Sequence, residues 1–373
     1  MAMKFKPKIG IGLIGSGFMG RCHANAFTAV SGLFDLPGLP VKIILADATG
    51  EIAQKGARTL GFPRFTSDWR VLIDDPAVDI VAITAPNIYH KPMALAAIAA
   101  GKTVYCEKPL SITAASALKM TQAAEAAGVV TMVGFNFLRN PMVRLARELI
   151  VANDIGKITG FRGRHAENYM CSPNVPHSFR TDPQGGGAIT DLGSHIISMA
   201  RYLLGPISRT NAISETIHRT RPVHLGSVDR APVLVDDMTH ALLEFESGVK
   251  GSIEANWSAT GRTMDLSFEV TGTKGAIQFS QERMNELLVY SGLGGFRRIE
   301  AGPSHPPYGN FCPATGHHLG FNDLKIIEVA QLIETHVAGG TCFSDFREAY
   351  EVQKVIEAMQ LSASDREGAL IAI

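Results

Sequence analysis

The sequence has no surplus of either charge. Its 373 residues carry 35 Lys and Arg against 35 Asp and Glu. Neither a basic excess nor a lysine-rich run points to nucleic acid or to an anionic membrane surface, so neither is an expected partner. Cysteine is scarce: the five lie at 22, 106, 171, 312 and 342. Their odd number and wide spacing argue against a disulfide framework and a Cys-rich zinc site, and fit a reducing cytoplasm. No apolar run approaches the ~20 residues of a membrane span. The lysines of MAMKFKPKIGIGLIG imitate a signal peptide, but the run is short and ends in a glycine cluster, so no export signal is expected. No spacing of His, Cys, Asp and Glu suggests a metal set, and no metal is expected.

What is present is ordinary for a globular chain: 46% hydrophobic and 19% charged residues. The length exceeds one simple core, which implies two domains. The first third alternates short apolar runs (KIGIGLIG at 8–15, VKIILAD at 41–47, VDIVAIT at 78–84, TVYC at 103–106, VVTMVG at 129–134) with helical segments at 18–30, 49–61, 91–101 and 111–128. That alternation means βαβ units and a parallel sheet, with the ligand beyond the carboxyl ends of the strands.

The first strand-to-helix turn is GSGFMG, residues 15–20. In a G-x-G-x-x-G, Gly15 permits the tight turn, Gly17 lets the backbone approach a pyrophosphate and Gly20 lets helix and strand pack closely. Phe18 and Met19 belong to the same turn and count with the cofactor-binding residues. Asp47 ends the second strand, where a carboxylate accepts from adenosine ribose hydroxyls and repels a 2′-phosphate. NAD is therefore expected, with NADP disfavoured; the plainer role for Asp47 is helix entry ahead of Thr49.

After the third strand the chain reads APNIYHKPMALAAIAAGKTVYCEKPLS. With GSGFMG, T-x-P-N-x-x-H (84–90), GKTVYCEKP (101–109) and D-x-x-x-H (191–195), the sequence resembles the Gfo/Idh/MocA family of sugar and polyol oxidoreductases. The resemblance implies that the Glu-Lys-Pro turn lies beside the nicotinamide and the substrate, often with a cis Lys–Pro bond. Lys108 then faces the reacting carbinol and stabilises a developing alkoxide. Glu107 either contacts the nicotinamide side or holds the turn. Thr84, Pro86, Asn87 and His90 are placed near the nicotinamide ribose and pyrophosphate, although Pro86-Asn87 also makes a good turn and His90 a polar cap.

In the second half, a strand (157–170) runs into an irregular loop (171–184) and then a helix over 185–206 that begins with glycines and reads as amphipathic. Asp191 and His195 are four apart, which puts them on one helical face. A histidine titrating near neutrality suits removal of a hydroxyl proton, and Asp191 would hold a neighbouring hydroxyl or orient the imidazole. His165, Asn168 and Arg180 are further substrate-contact candidates; for His165 a structural role competes. His317 and His318 read as opening a helix, with His318 reaching the substrate or serving as a cap. From 207 onward β-rich segments and hairpin turns form an antiparallel sheet, followed by helices near 321–336 and 346–361.

The expected architecture is an α/β Rossmann domain (1–135) followed by an α+β domain (136–373) with a large, mainly antiparallel open sheet. The family resemblance makes that open face a subunit contact, hence a homodimer or homotetramer. The expected reaction is NAD-dependent oxidation of a secondary hydroxyl of a cyclic polyol, sugar or glycoside. An NAD-dependent glycosidase, working by transient oxidation and elimination, and a non-catalytic cofactor-binding regulator are the alternatives.

Overall fold

The apolar runs of the first third form a parallel sheet, and those of the second half a mostly antiparallel one. The structure, a computed structural model, describes residues 6–292, 294–365 and 369–373. In chain order the strands are β1 (Lys8–Ile14), β2 (Leu39–Ala46), β3 (Arg64–Thr66), β4 (Ile80–Ile83), β5 (Thr103–Cys106), β6 (Thr131–Val133), β7 (Ile158–Ala166), β8 (Ile207–Glu215), β9 (Thr220–Pro222), β10 (Arg230–Pro232), β11 (Met238–Phe245), β12 (Lys250–Asn256), β13 (Asp265–Gly272), β14 (Ala276–Ser280), β15 (Glu286–Tyr290), β16 (Arg297–Glu300) and β17 (Ile371–Ala372). The helices are α1 (Phe18–Leu33), α2 (Gly50–Leu60), α3 (Trp69–Ile73), α4 (Asn87–Ala99), α5 (Ala114–Ala127), α6 (Pro141–Val151), α7 (Ser194–Leu204), α8 (Phe321–Ala338) and α9 (Phe346–Ser364).

Two compact units result: residues up to Arg139 with Gly320–Tyr350, and Asn140–Leu319 with Glu351–Ile373. In the first, six parallel strands run in the order β3-β2-β1-β4-β5-β6. The order reverses between β1 and β4, which makes their carboxyl ends the ligand crevice of an open α/β sheet. Thr49 and Thr113 cap α2 and α5 by accepting from Ile52 N and Ser116 N, and left-handed Gly61 and Gly128 end them. The short β3 and α3 escape a reading based on periodicity. Helix α4 starts at Asn87, earlier than the expected 91, with Pro86 as its extended N-cap.

The segment 320–350 packs with this first unit, whereas the sequence reading put everything after 135 in the second domain. Val133 N donates to Ser344 O (2.7 Å) and Phe346 N to Thr131 Oγ1 (3.2 Å), so the chain after α8 covers the β6 edge.

The second unit holds a nine-stranded sheet, β16-β15-β14-β13-β7-β12-β11-β8-β17, in which only β7 and β12 pair parallel. Side chains alternate across β7: Phe161 and His165 are buried, while Arg162 lies on the exposed side. Helix α7 lies on the His165 side, where a Cβ on Gly163 would come within 2.7 Å of Ile196 Cδ1. A concavity of about 860 Å³ marks the opposite face, lined by Arg162, Arg164, His240, Glu254, Glu269 and Glu286 among others. Contrary to the amphipathic reading, α7 is buried nearly all round, because both the sheet and the neighbouring segments cover it.

Candidate functional site

In the first unit the glycine turn is built as its sequence requires. Gly15 has φ +97°, and a Cβ there would press on Thr84 Oγ1 at 2.7 Å. A Cβ on Gly20 would meet the Gly15 carbonyl oxygen at 2.2 Å, so only glycine lets α1 pack against the turn. Gly17 has open space around its Cβ position and is the N-cap of α1 without any side-chain cap. Phe18 and Met19 are the first two residues of that helix. The leading N–H groups of α1 are thus left for an anion, which is the fit a pyrophosphate needs.

Asp47 follows β2 and accepts from Ser16 N (2.8 Å) and Ser16 Oγ (2.5 Å) through Oδ2, while Oδ1 accepts from Ala48 N (2.7 Å). Its carboxylate is half-exposed at the mouth of the glycine turn, the position from which an acidic residue meets ribose hydroxyls. Thr84 turns inward: its hydroxyl lies 2.9 Å from Ile14 O and 3.0 Å from Gly15 O, bracing the glycine turn. His90 is buried with one ring nitrogen 2.9 Å from Pro109 O and the other 2.8 Å from Ala85 O. It is neither a surface cap nor a free ligand; it ties the turn after β4 to the turn after β5, and burial pushes its pKa down. Pro86 and Asn87 form the N-terminus of α4 on the same crevice side.

The Glu-Lys-Pro turn follows β5, with a cis Lys108–Pro109 bond. Lys108 is half-buried, and Glu107 is buried. Glu107 Oε1 accepts from Lys325 Nζ (3.0 Å) and lies 2.7 Å from His23 Nε2; Oε2 accepts from Lys108 N (3.3 Å). Of its two expected roles, Glu107 holds the turn. Burial alone would raise its pKa, but the Lys325 ammonium and the His23 contact outweigh that and hold the carboxyl well below the usual range. Lys325 Nζ also donates to Tyr105 OH (3.0 Å) and Glu328 Oε2 (2.7 Å), and Tyr105 OH donates to Glu328. Burial acts to lower the Lys325 pKa, yet the two glutamates raise it on balance, so the residue stays charged. None of His23, Tyr105, Lys325 or Glu328 carries a local sequence signal for this role.

In the second unit Asp191 lies in a π-helical turn, Ile189–Gly193, directly ahead of α7. Such widened turns recur at functional sites, and this one replaces the α-helical spacing on which the Asp191–His195 pairing was argued. Asp191 Oδ2 accepts from Tyr169 OH and Arg180 Nε, each at 2.9 Å. Arg180 also lies over the Tyr169 and Phe179 rings, 5.4 and 4.7 Å from their centroids. Burial would lower the Arg180 pKa, but Asp191 keeps it above its ordinary value, so the pair is a stable ion pair. His195 is buried and meets the His165 ring edge-on at 5.4 Å. His165 itself is held by Leu192 O and Glu167 Oε1, both at 3.0 Å, which favours the structural reading. Asn168 is exposed on the turn closed by Cys171 N.

The irregular segment after β7 is pinned by buried groups the sequence did not announce. Arg221 donates to Met170 O and Ser172 O, each at 2.9 Å, and pairs with Asp237 (3.3 Å), which also accepts from Trp257 Nε1 (2.6 Å). His318 opens no helix: it is exposed with φ +64°, and α8 begins at Phe321 behind Gly320, whose N–H is taken by Asp323. Among the described residues, no group of three or more His, Cys, Asp and Glu could hold a metal, and no helix is long and apolar enough to cross a membrane.

A glycine turn shaped for pyrophosphate, an acidic residue after β2 and a second unit with a mostly antiparallel sheet define a dinucleotide-dependent oxidoreductase. Residues 9–135 match the model of the oxidoreductase family with an NAD-binding Rossmann fold, and residues 143–278 that of the Gfo/Idh/MocA C-terminal domain. The chain belongs to the Gfo/Idh/MocA family, and it is an enzyme with NAD as its cofactor. It is 38% identical to levoglucosan dehydrogenase of Pseudarthrobacter phenanthrenivorans, covering 95% of this chain and 96% of that one. It is 29% identical to scyllo-inositol 2-dehydrogenase (NAD+) of Bacillus subtilis over 76% of this chain and 77% of the relative. A solved levoglucosan dehydrogenase in complex with NADH and L-sorbose superimposes with a TM-score of 0.95 at 37% identity, covering 98% and 99% of the two chains.

Proposed function

We propose that the protein oxidises a secondary hydroxyl of a neutral cyclic sugar, anhydro-sugar or polyol, with His195 as the acid/base and Lys108 as the group that positions the hydroxyl and stabilises the alkoxide. The observation that carries this reading is the state of Asp191: its charge is met by Arg180 at 2.9 Å, directly ahead of His195. Such a site offers hydrogen-bond groups with little net charge, which suits a neutral polyol better than an acid or a phosphate. The full-length likeness to levoglucosan dehydrogenase makes levoglucosan the first compound to test.

Bound NAD+ supplies the hydride acceptor. The protein's share is to hold and move the proton. His195 accepts it from the substrate hydroxyl, and Lys108 offsets the negative charge that builds on that oxygen. Arg180 and Tyr169 fix the Asp191 carboxylate, which orients an adjacent hydroxyl. Asn87, Pro86, Gly17, Phe18, Met19 and Asp47 are the residues assigned to the cofactor. His165, Asn168 and His318 keep a supporting place at the substrate end, the first through its contact with His195. The proposal includes a homodimer or homotetramer formed through the open face of the second unit's sheet, in the cytoplasm; light scattering of the purified protein tests the assembly.

The test is a panel of anhydro-sugars, aldoses, glycosides and inositols read by NADH absorbance, with Lys108→Ala and His195→Ala beside the wild type. We expect NADH to accumulate with at least one sugar. Each variant should lose turnover by about 10²–10⁴-fold while NAD+ binding stays nearly intact. Substrate cleavage without accumulating NADH would instead establish the glycosidase reading, and near-normal turnover in both variants would refute the roles given to Lys108 and His195.

A further inference from the structure

The buried cluster behind the Glu-Lys-Pro turn has no part in the chemistry just described, yet it ends on that turn. Glu107, Lys325, Glu328 and His23 are all buried, and Tyr105 with them. Taking such charges out of water is costly, and a well-packed apolar set of similar volume commonly gives equal or better stability. What an ion cluster adds over apolar packing is direction. Here the direction is defined at both ends.

On one side Lys325 is fixed by three acceptors: Glu328 Oε2 at 2.7 Å, Tyr105 OH at 3.0 Å and Glu107 Oε1 at 3.0 Å. Its helix, α8, packs on α1 and on the turn Asn136–Arg139, with Phe321 against Phe18 and Phe137 at 6.0 and 5.9 Å. On the other side Glu107 reaches the backbone N–H of Lys108 with its second oxygen. Room for the carboxyl is made by Gly134 after β6, where a Cβ would lie 2.6 Å from Glu107 Oε1. His23, stacked on Tyr105 at 4.3 Å, closes the remaining approach to Oε1.

From this geometry we infer that Lys325 is a positioning residue: acting through Glu107, it sets the turn that presents Lys108. The inference rests on the role proposed for Lys108. Residues 325 and 107 are 218 positions apart, so the return of the chain through α8 is what completes the turn. The charged and titratable groups around Glu107 are Cys22 and His23 from α1, His90 from α4, Tyr105 and Cys106 from β5, Lys325 and Glu328 from α8, and Arg139 near Glu328. Lys325 and Arg139 are the cations among them. With Lys325 removed, the strongest influence holding the Glu107 pKa down is lost, so its titration moves up and is shared with His23, whose own pKa Lys325 helps to depress.

The experiment compares wild type, Lys108→Ala, Lys325→Met and the double variant Glu107→Gln/Lys325→Met, using whichever sugar gives NADH turnover. Thermal midpoint, NAD+ affinity, kcat, KM and the pH profile of kcat are measured for each. The double variant removes one buried charge of each sign and leaves Glu328 to Tyr105 OH and to Arg139 at 3.9 Å, so it serves where Lys325→Met alone fails to fold. We expect the double variant to regain the wild-type thermal midpoint and NAD+ affinity while kcat stays about 10²-fold low, the scale of a misplacement of ~1 Å. Where Lys325→Met folds, its kcat–pH profile should gain an ionisation that the wild type lacks and the double variant loses. Wild-type kcat in the double variant, with Lys108→Ala inactive, would overturn the positioning role alone. An active Lys108→Ala would overturn the reading of Lys108 on which it rests.

Discussion

Asp236 gives a pH dependence that can be worked through from its surroundings. Its carboxyl accepts from Ile189 N (2.9 Å) at the start of the π turn and from Thr239 Oγ1 (2.9 Å). Burial, with a smaller push from neighbouring Asp237, outweighs these hydrogen bonds and raises its pKa from 3.8 to about 6. The folded protein therefore binds this proton more tightly than the unfolded chain does. The group's contribution to stability is fully present below about pH 3.8 and is lost as pH rises through about 6. A shift of about two units corresponds to ~3 kcal/mol. Asp236→Asn keeps an acceptor for Ile189 N but cannot ionise, so the variant lacks this slope. Relative to the variant, the wild type should lose ~2–3 kcal/mol between about pH 4 and about pH 7.5. Urea unfolding in a Trp69→Phe background, followed by the fluorescence of buried Trp257, reads the second unit at each pH. A gap between the two proteins that stays constant across the range would refute the assignment of the proton to Asp236.

The glycine turn separates folding from binding. Gly20→Ala should cost about 3 kcal/mol or more, because the added methyl meets the Gly15 carbonyl, whereas Gly17→Ala should fold normally and bind NAD+ about tenfold less well; equal losses of thermal midpoint in the two would contradict this. Asp47→Ala should erode the preference for NAD+ over NADP+, measured as the ratio of kcat/KM values, and a wild type that uses both cofactors equally well would remove the role given to this carboxylate. Arg221→Ala strands the buried Asp237 charge and two loop carbonyls, so chemical denaturation should show a loss of about 3–5 kcal/mol. A loss below about 1 kcal/mol would show that the segment after β7 is held by other contacts.

Much of the first unit is legible in the sequence because its signals are local. Strand, turn and helix are adjacent in GLIGSGFMG, and the demands for glycine at 15 and 20 are set by the turn itself and by Thr84 after the neighbouring strand β4. Thr49, Gly61, Thr113 and Gly128 mark their helix ends in the same way. Local spacing misleads where the backbone departs from the α-helical period: the π turn at Ile189–Gly193 alters the relation between Asp191 and His195. It also misjudges α7, whose buried surface is set by what covers it rather than by its own pattern.

The sequence by itself determined the parallel α/β half and the dinucleotide turn, since hydrophobic period and glycine requirements act over short range. The tertiary structure alone decided that α8 returns to the first unit, that Glu107 is buried against Lys325, that His90 bridges two turns, and that Arg180 neutralises Asp191. Each of these depends on pairing a charge or a polar ring with a partner distant in the chain. Such a pairing is chosen by the cost of burying an unmatched polar group, and that cost exists only once the chain has folded around it.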